Sequence, residues 1–238
     1  MHPESPPGAY PASYLNATSI PAAVFAKPPI PGETKTRLTT LVSNQDAARL
    51  HRAFILDTLE KFKALVGVRV CLWKSRPSAE LDEIASHAGI ETALQSTGDL
   101  GARMTQSLQV MLQKQGAGLL VGTDTPTLPK RILSMAIEAL RDAPLVFGPS
   151  ADGGFYLVAA RDSAPRFERV RWSSPHTLSD VLATRSARLL PPWYDIDRPS
   201  DLRLLRTQLA IDKNAAPFTA QTLSEIAAEP QAYGPSAF

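Results

Sequence analysis

Between residues 20 and 210, short aliphatic runs alternate with longer stretches of helical period, and this alternation constrains the fold more than any other feature of the chain. The runs IPAAVFA (20–26), VRVCLW (68–73), IETAL (90–94), GLLVGT (118–123), PLVFG (144–148), GFYLVAA (154–160) and ARLL (187–190) read as strands. Residues 44–65, 78–88, 100–115, 129–142, 175–185 and 199–210 read as helices. In the first of these, Ala48, Ile55, Leu59, Phe62 and Val66 fall on one face, and Ser43 and Asp46 before it have capping-box spacing. The strands are continuously apolar rather than alternating, so both faces must be covered. This predicts an α/β fold with a mostly parallel central sheet and helices on both faces. In such sheets ligands bind beyond the carboxyl ends of the strands, which selects the loops that matter.

A chain of 238 residues can bury one sizeable core. Its 25 Lys and Arg against 23 Asp and Glu leave a net charge of +2, which speaks against a nucleic-acid partner. One cysteine, Cys71, excludes a disulfide or zinc-finger framework and reads as a small buried hydrophobe. No apolar run reaches the roughly 18–20 residues of a membrane span. MHPESPPGAY lacks the basic and apolar regions of a secretory signal, so the expected location is cytoplasmic. The 21 prolines cluster, and the clusters divide the chain. Residues 1–19 read as a flexible extension, 20–210 as the domain, and 211–238 as a tail whose short helix, TAQTLSEIAA, either docks or frays.

Five loops carry candidate chemistry. AKPPIPGETKTRL (26–38) sets Lys27, Lys35 and Arg37 on a proline-stiffened path, with Gly32 allowing close backbone approach. Fixed cations and exposed amides suit a polyphosphate; a solvated loop with scattered charge fits the composition equally well. QSTGDLG (95–101) could take a base or ribose edge, or be a plain turn. GTDTP (122–126) ends a strand at Asp124, which could bind Mg²⁺ or Mn²⁺ or merely form an Asx-turn. GPSADGGFY (148–156) carries Asp152, as a cleft acid or as a hairpin-turn residue. In YDIDRPSDL (194–202), Asp195 and Asp197 project to one side of an extended segment and could join Asp124 on a cation, although Asp197 or Ser200 could instead cap the next helix. Trp172 reads as half-buried core or pocket edge, and His176 as structural.

Together, VFAKPPIPGETKTRL, QSTGDLGARM, LLVGTDTPTL, GPSADGGFYL, the Trp172–Ser173 pair and YDIDRPSDL resemble a bacterial glycosyltransferase-like family, the selenodomain-associated transferases. The resemblance covers about residues 20–205. This family is similar to phospholactate guanylyltransferase and to molybdenum-cofactor guanylyltransferase, and it implies the glycosyltransferase-A, or nucleotide-diphospho-sugar transferase, fold. It also implies that Lys27, Gly32, Lys35 and Arg37 meet nucleotide phosphates, that Gln95, Gly98 and Asp99 meet the base, and that Asp124 with Asp195 or Asp197 holds the metal. Asp152 would lie where the acceptor enters. Glu33 departs from the pattern by placing an acid beside a phosphate site, and Arg198 departs by standing where a Thr cap is usual.

The expected activity is a Mg²⁺-dependent (or Mn²⁺-dependent) transferase. Its partners would be a nucleoside triphosphate or nucleotide-sugar and a small-molecule acceptor. Sugar transfer to a hydroxyl needs a base, for which Asp152 is the candidate, with Lys35 neutralising leaving-group charge. Nucleotidyl transfer to a phosphate needs no base. The competing class is a non-catalytic nucleotide-binding module on the same fold. The sequence assigns no oligomeric state, base, sugar or acceptor.

Overall fold

The computed structural model describes residues 19–183 and 185–229; most of the expected N-terminal extension and the end of the tail lie outside them. The strands are β1 (Ile20–Ala26), β2 (Val68–Lys74), β3 (Glu91–Leu94), β4 (Ala117–Val121), β5 (Leu145–Pro149), β6 (Phe155–Arg161) and β7 (Arg188–Leu189). The helices are α1 (Asn44–Lys63), α2 (Ala79–Ala88), α3 (Leu100–Gln115), α4 (Lys130–Ala139), α5 (Thr177–Leu182), α6 (Pro199–Ile211) and α7 (Pro217–Ala228).

The strands form one sheet in the order β3-β2-β1-β4-β6-β5-β7. The pairs β1–β2, β1–β4, β2–β3 and β5–β7 are parallel, whereas β6 runs antiparallel between β4 and β5. Reversing β6 brings its first residues, not its last, to the sheet edge where the parallel strands end.

Alternate side chains of each strand enter different cores. Ala22, Val24 and Ala26 of β1 join Val70, Leu72, Leu119 and Val121 beneath α1, α2 and α4. Ala23 and Phe25 join Cys71, Trp73, Leu120 and Val158 on the opposite face, with Met104, Leu108 and Met111 of α3. This double burial explains why the strands are aliphatic throughout. Cys71 is fully buried, and burial pushes its thiol pKa well up.

A third cluster joins α1 to the chain's last elements: Leu50 and Phe54 meet Leu202, Leu205, Leu223 and Ile226. The helix anticipated in the tail is thus docked. Its first turn is capped from α1 by Asp57, whose carboxylate accepts from Phe218 N (3.1 Å), Thr219 N (2.9 Å) and Thr219 Oγ1 (2.6 Å).

Three expectations need correction. Val66 was placed on the buried face of the first helix, but α1 ends at Lys63 and Val66 is 98% exposed; the chain has left the helical register before reaching it. The helices expected over 129–142 and 175–185 are shorter, at Lys130–Ala139 and Thr177–Leu182. The cap of α6 is neither Asp197 nor Ser200. Asp201 reaches back from the first turn to accept from Arg198 N (2.7 Å) and Asp197 N (3.1 Å), leaving the Asp197 carboxylate free for other work.

Candidate functional site

A cleft of about 570 Å³ runs along the edge where the parallel strands end. Its central feature is Lys35. The ammonium donates to Ile196 O (2.7 Å) and Asp197 Oδ1 (2.8 Å), and lies 2.7 Å from Asp124 Oδ1. Three oxygens thus meet the three N–H donors of an ammonium. The ring of Phe54 lies 5.7 Å below. The side chain of Lys35 is 5% exposed, whereas those of Asp124 and Asp197 are 45% and 38% exposed, so the acids face the cleft and the cation lies beneath them.

Local structure builds this arrangement. Leu38, fully buried in the third cluster, anchors the single 3-10 turn Thr36–Leu38 that follows Lys35. Lys35 itself takes a left-handed backbone, φ 52° and ψ 32°, a conformation costing about 1–2 kcal/mol in a non-glycine residue. On the other side, Asp124 O accepts from Ile196 N (2.8 Å), which fastens the segment bearing Asp195 and Asp197 against the end of β4.

Burial alone lowers the Lys35 pKa, but Asp124 and then Asp197 outweigh it, and the net shift is upward. For Asp124 burial acts to raise the pKa; Lys35 and then His51 overcome it, and the net shift is downward. The pair is therefore ionised together. Asp195 behaves differently: burial, and next the neighbouring Asp152 carboxylate, push it up to about 6.

The structure brings Lys27, Lys35, Arg37, Gln95, Asp124, Asp152, Asp195 and Asp197 to this cleft. Gly32, Gly98 and Asp99 do not line it. Gly32 is exposed at the loop tip with φ +80°, and Asp99 is the N-cap of α3, accepting from Ala102 N at 2.8 Å. Asp152 is both a turn residue and a cleft residue. Its Oδ1 accepts from Gly154 N (2.8 Å) and from Ser150 Oγ while the side chain lines the cleft. Gly153, at φ +91°, permits this turn, and a Cβ there would lie 2.3 Å from Pro175 O, so the segment carrying Trp172 and Ser173 packs directly on it. Trp172 is half-buried against Phe155 and Phe167 and also lines the cleft. Glu33, the unexpected acid, also lines the cleft, where it pairs with Arg76.

Two lining residues escaped sequence reasoning. Arg103, in the first turn of α3, donates from Nη1 to Gln95 Oε1 at 3.0 Å; its signal was its place where a helix starts just beyond a strand's carboxyl end. His51 is 4% exposed on α1, with Nε2 bonded to Lys27 O at 3.1 Å and a pKa lowered mainly by burial. Its spacing of four from Ile55 marked it only as a buried helix position.

Among the described residues, no three Asp, Glu, His or Cys side chains converge to enclose a metal ion by themselves. Asp124 and Asp197 nevertheless present exposed carboxylates, side by side on one ammonium. Such a pair fits a divalent cation that takes its remaining ligands from phosphate and water. No described helix is long and apolar enough to cross a membrane.

Several solved structures share this architecture. A protein of Desulfovibrio desulfuricans G20, provisionally described as a nucleotide-diphospho-sugar transferase, is 29% identical, with a TM-score of 0.79 over 89% of this chain and 96% of its own. CMP:2-keto-3-deoxy-manno-octonic acid synthetase complexed with CTP is 13% identical, with a TM-score of 0.54 over 82% of this chain and 99% of its own. A cytidylyltransferase from Leptospira borgpetersenii is 13% identical, with a TM-score of 0.52 over 91% of this chain and 99% of its own. The fold is that of the nucleotide-diphospho-sugar transferases and cytidylyltransferases. No curated protein matches the sequence significantly. The model of a family described as uncharacterised proteins conserved in bacteria (DUF2064) matches residues 56–174, half of the chain, and the chain belongs to that family.

Proposed function

We propose that this protein is a divalent-cation-dependent transferase that binds a nucleotide-sugar and moves its glycosyl group to a neutral hydroxyl acceptor, releasing the nucleotide. The observation that carries this reading is the Lys35 ammonium held between Asp124 and Asp197 at the carboxyl edge of the sheet. A pure binding module has no evident need for a cation buried beneath two exposed acids in a strained backbone.

The order of strands lays out the chemistry. On the β3–β2–β1 side the edge carries Gln95, Ser75, Arg103, Lys27 and Arg37. At its centre stand Lys35, Asp124 and Asp197. On the β6–β5–β7 side it carries Phe155, Ser150, Asp152 and Asp195. Cations and neutral donors suit the nucleotide, and the acidic side disfavours an anionic acceptor. Lys27 and Arg37 would bind the phosphates, joined by Lys35 when it leaves the acids. Mg²⁺ or Mn²⁺, held by Asp124 and Asp197, would neutralise diphosphate charge in the leaving group. Asp152 would take the proton of the acceptor hydroxyl, which a base within hydrogen-bond reach can do.

A second reading, nucleotidyl transfer, is favoured by the hydrogen bonds that Asp152 already receives from Ser150 and Gly154. In that reading Asp152 serves the turn, and an acceptor phosphate, already anionic, needs no base.

A thermal-shift panel of nucleoside diphosphates, triphosphates and nucleotide-sugars, with and without Mg²⁺, tests the reading. Metal-dependent stabilisation in the wild type and its loss in Asp124→Ala are expected. If no nucleotide raises the melting temperature in either condition, the proposal falls.

A further inference from the structure

The β3 end of the cleft has a feature the reaction itself does not require. Gln95, 7% exposed, is fixed at both ends: its Nε2 donates to Trp73 O at 2.8 Å, and its Oε1 accepts from Arg103 Nη1 at 3.0 Å. The backbone N–H of Gln95 donates to Lys74 O at 2.9 Å. Arg103 Nε faces Asp99 O at 3.3 Å. Both guanidinium contacts are thus to neutral oxygens, and among the described residues no carboxylate pairs with it. The acceptor oxygen of Gln95 is engaged by Arg103. What this wall offers is mainly donors: the remaining N–H groups of the guanidinium and the second hydrogen of the Gln95 amide. Leu100, 41% exposed, with Met104 and Phe25, supplies apolar surface beside them.

A wall of donors recognises acceptors. We infer that Arg103, braced by Gln95, reads the base of the bound nucleotide and selects one with two adjacent acceptors on a single edge: guanine through O6 and N7, or cytosine through N3 and O2. Adenine sets an amino donor beside each ring acceptor on its exposed edges, and uracil separates its two carbonyls with an N–H. Either would turn a donor toward the guanidinium and leave it unmatched. The placement rests on the reading of the cleft as a nucleotide site. With the phosphates at the central cations and the acids on the β6–β5–β7 side, the partly apolar β3 end, lined by donors, is where a base is least penalised. Gln95 acts as a positioning residue, holding the guanidinium plane, and Arg103 touches the base.

The test measures dissociation constants of GDP, CDP, ADP, UDP and inorganic pyrophosphate, each with Mg²⁺, for the full chain and for Arg103→Met. Arg103 is half-exposed on a helix surface, so methionine keeps its stem and the fold. The wild type should bind GDP or CDP roughly ten- to a hundred-fold more tightly than ADP and UDP, and the tighter of the two identifies the base. Arg103→Met should remove that preference and leave pyrophosphate affinity within about two-fold. A wild type with equal affinity for all four, a preference for ADP or UDP, or a preference that survives Arg103→Met overturns the inference while leaving the phosphate site standing. Failure of every nucleotide and of pyrophosphate to bind removes the nucleotide site itself and the inference with it.

Discussion

The Lys35 ammonium lies 2.7 Å from Asp124 Oδ1 and 2.8 Å from Asp197 Oδ1, so a buried cation of the chain itself joins two acids that come from the loop after β4 and from the segment before α6. It neutralises charge that would otherwise hold the two carboxylates apart. The same contact makes the ammonium a competitor for any metal ion that uses these oxygens.

Lys35→Met should therefore raise the affinity of the ligand-free protein for Mn²⁺, by roughly ten-fold or more given the Coulomb energy of a unit charge at this range. Its affinity for pyrophosphate without metal should fall. Titration of Mn²⁺ followed by paramagnetic resonance reads the first effect. Unchanged Mn²⁺ affinity would mean that the two acids are not the cation site.

Asp152 separates glycosyl from nucleotidyl transfer. If it serves as base, Asp152→Asn should lower turnover by roughly 10²–10⁴-fold with little change in nucleotide affinity. Retained or increased turnover would favour a phosphate acceptor, freed from repulsion. Asparagine can still accept from Gly154 N, so the turn should survive. Melting temperature on the same preparation separates loss of chemistry from loss of fold.

The raised pKa of Asp195, about 6, has a definite consequence for stability. A carboxyl that holds its proton more tightly folded than unfolded stabilises the fold at low pH. That contribution is lost as pH rises from the ordinary carboxylate range through about 6. The melting temperature of Asp195→Asn should thus fall less than that of the wild type between about pH 4 and 7. Parallel pH profiles for the two proteins would show that Asp195 titrates normally.

Asp57 joins α7 to the body. With 1% exposure and three accepted hydrogen bonds, Asp57→Ala should cost about 2–4 kcal/mol, since bonds to a charged acceptor contribute about 1.5–3 kcal/mol and a helix cap about 1 kcal/mol. Denaturant titration measures this, and amide exchange should show α7 losing protection first. A loss under about 0.5 kcal/mol would mean that apolar packing alone holds the helix.

Period and composition sufficed for the strands, the helices on both faces and the edge that carries chemistry. IPAAVFA and GLLVGT are apolar on both faces, and only a doubly covered sheet accepts such strands. The helix from 100 to 115 was legible to the residue, but its cap was not, since Asp99 reads in sequence as a turn or base-contact residue. The loops bearing Lys35, Asp124, Asp152 and Asp197 were likewise legible as strand exits. What each side chain does there was not. Lys35 reads in sequence as one of three equivalent loop cations, yet the anchoring of Leu38 and the bond from Ile196 N to Asp124 O bury it beneath two acids, 89 and 162 positions further along the chain. Asp197 reads equally as a cap, until Asp201 takes that role. The pairing of Gln95 with Arg103, and the capping of α7 by Asp57, depend on how α3 and α1 are rotated about their axes. Hydrophobic periodicity fixes which face of an element is buried and sets the architecture. The partner of a polar side chain is decided by distances of about 3 Å between residues remote in sequence, and those exist only once the core has brought the elements together.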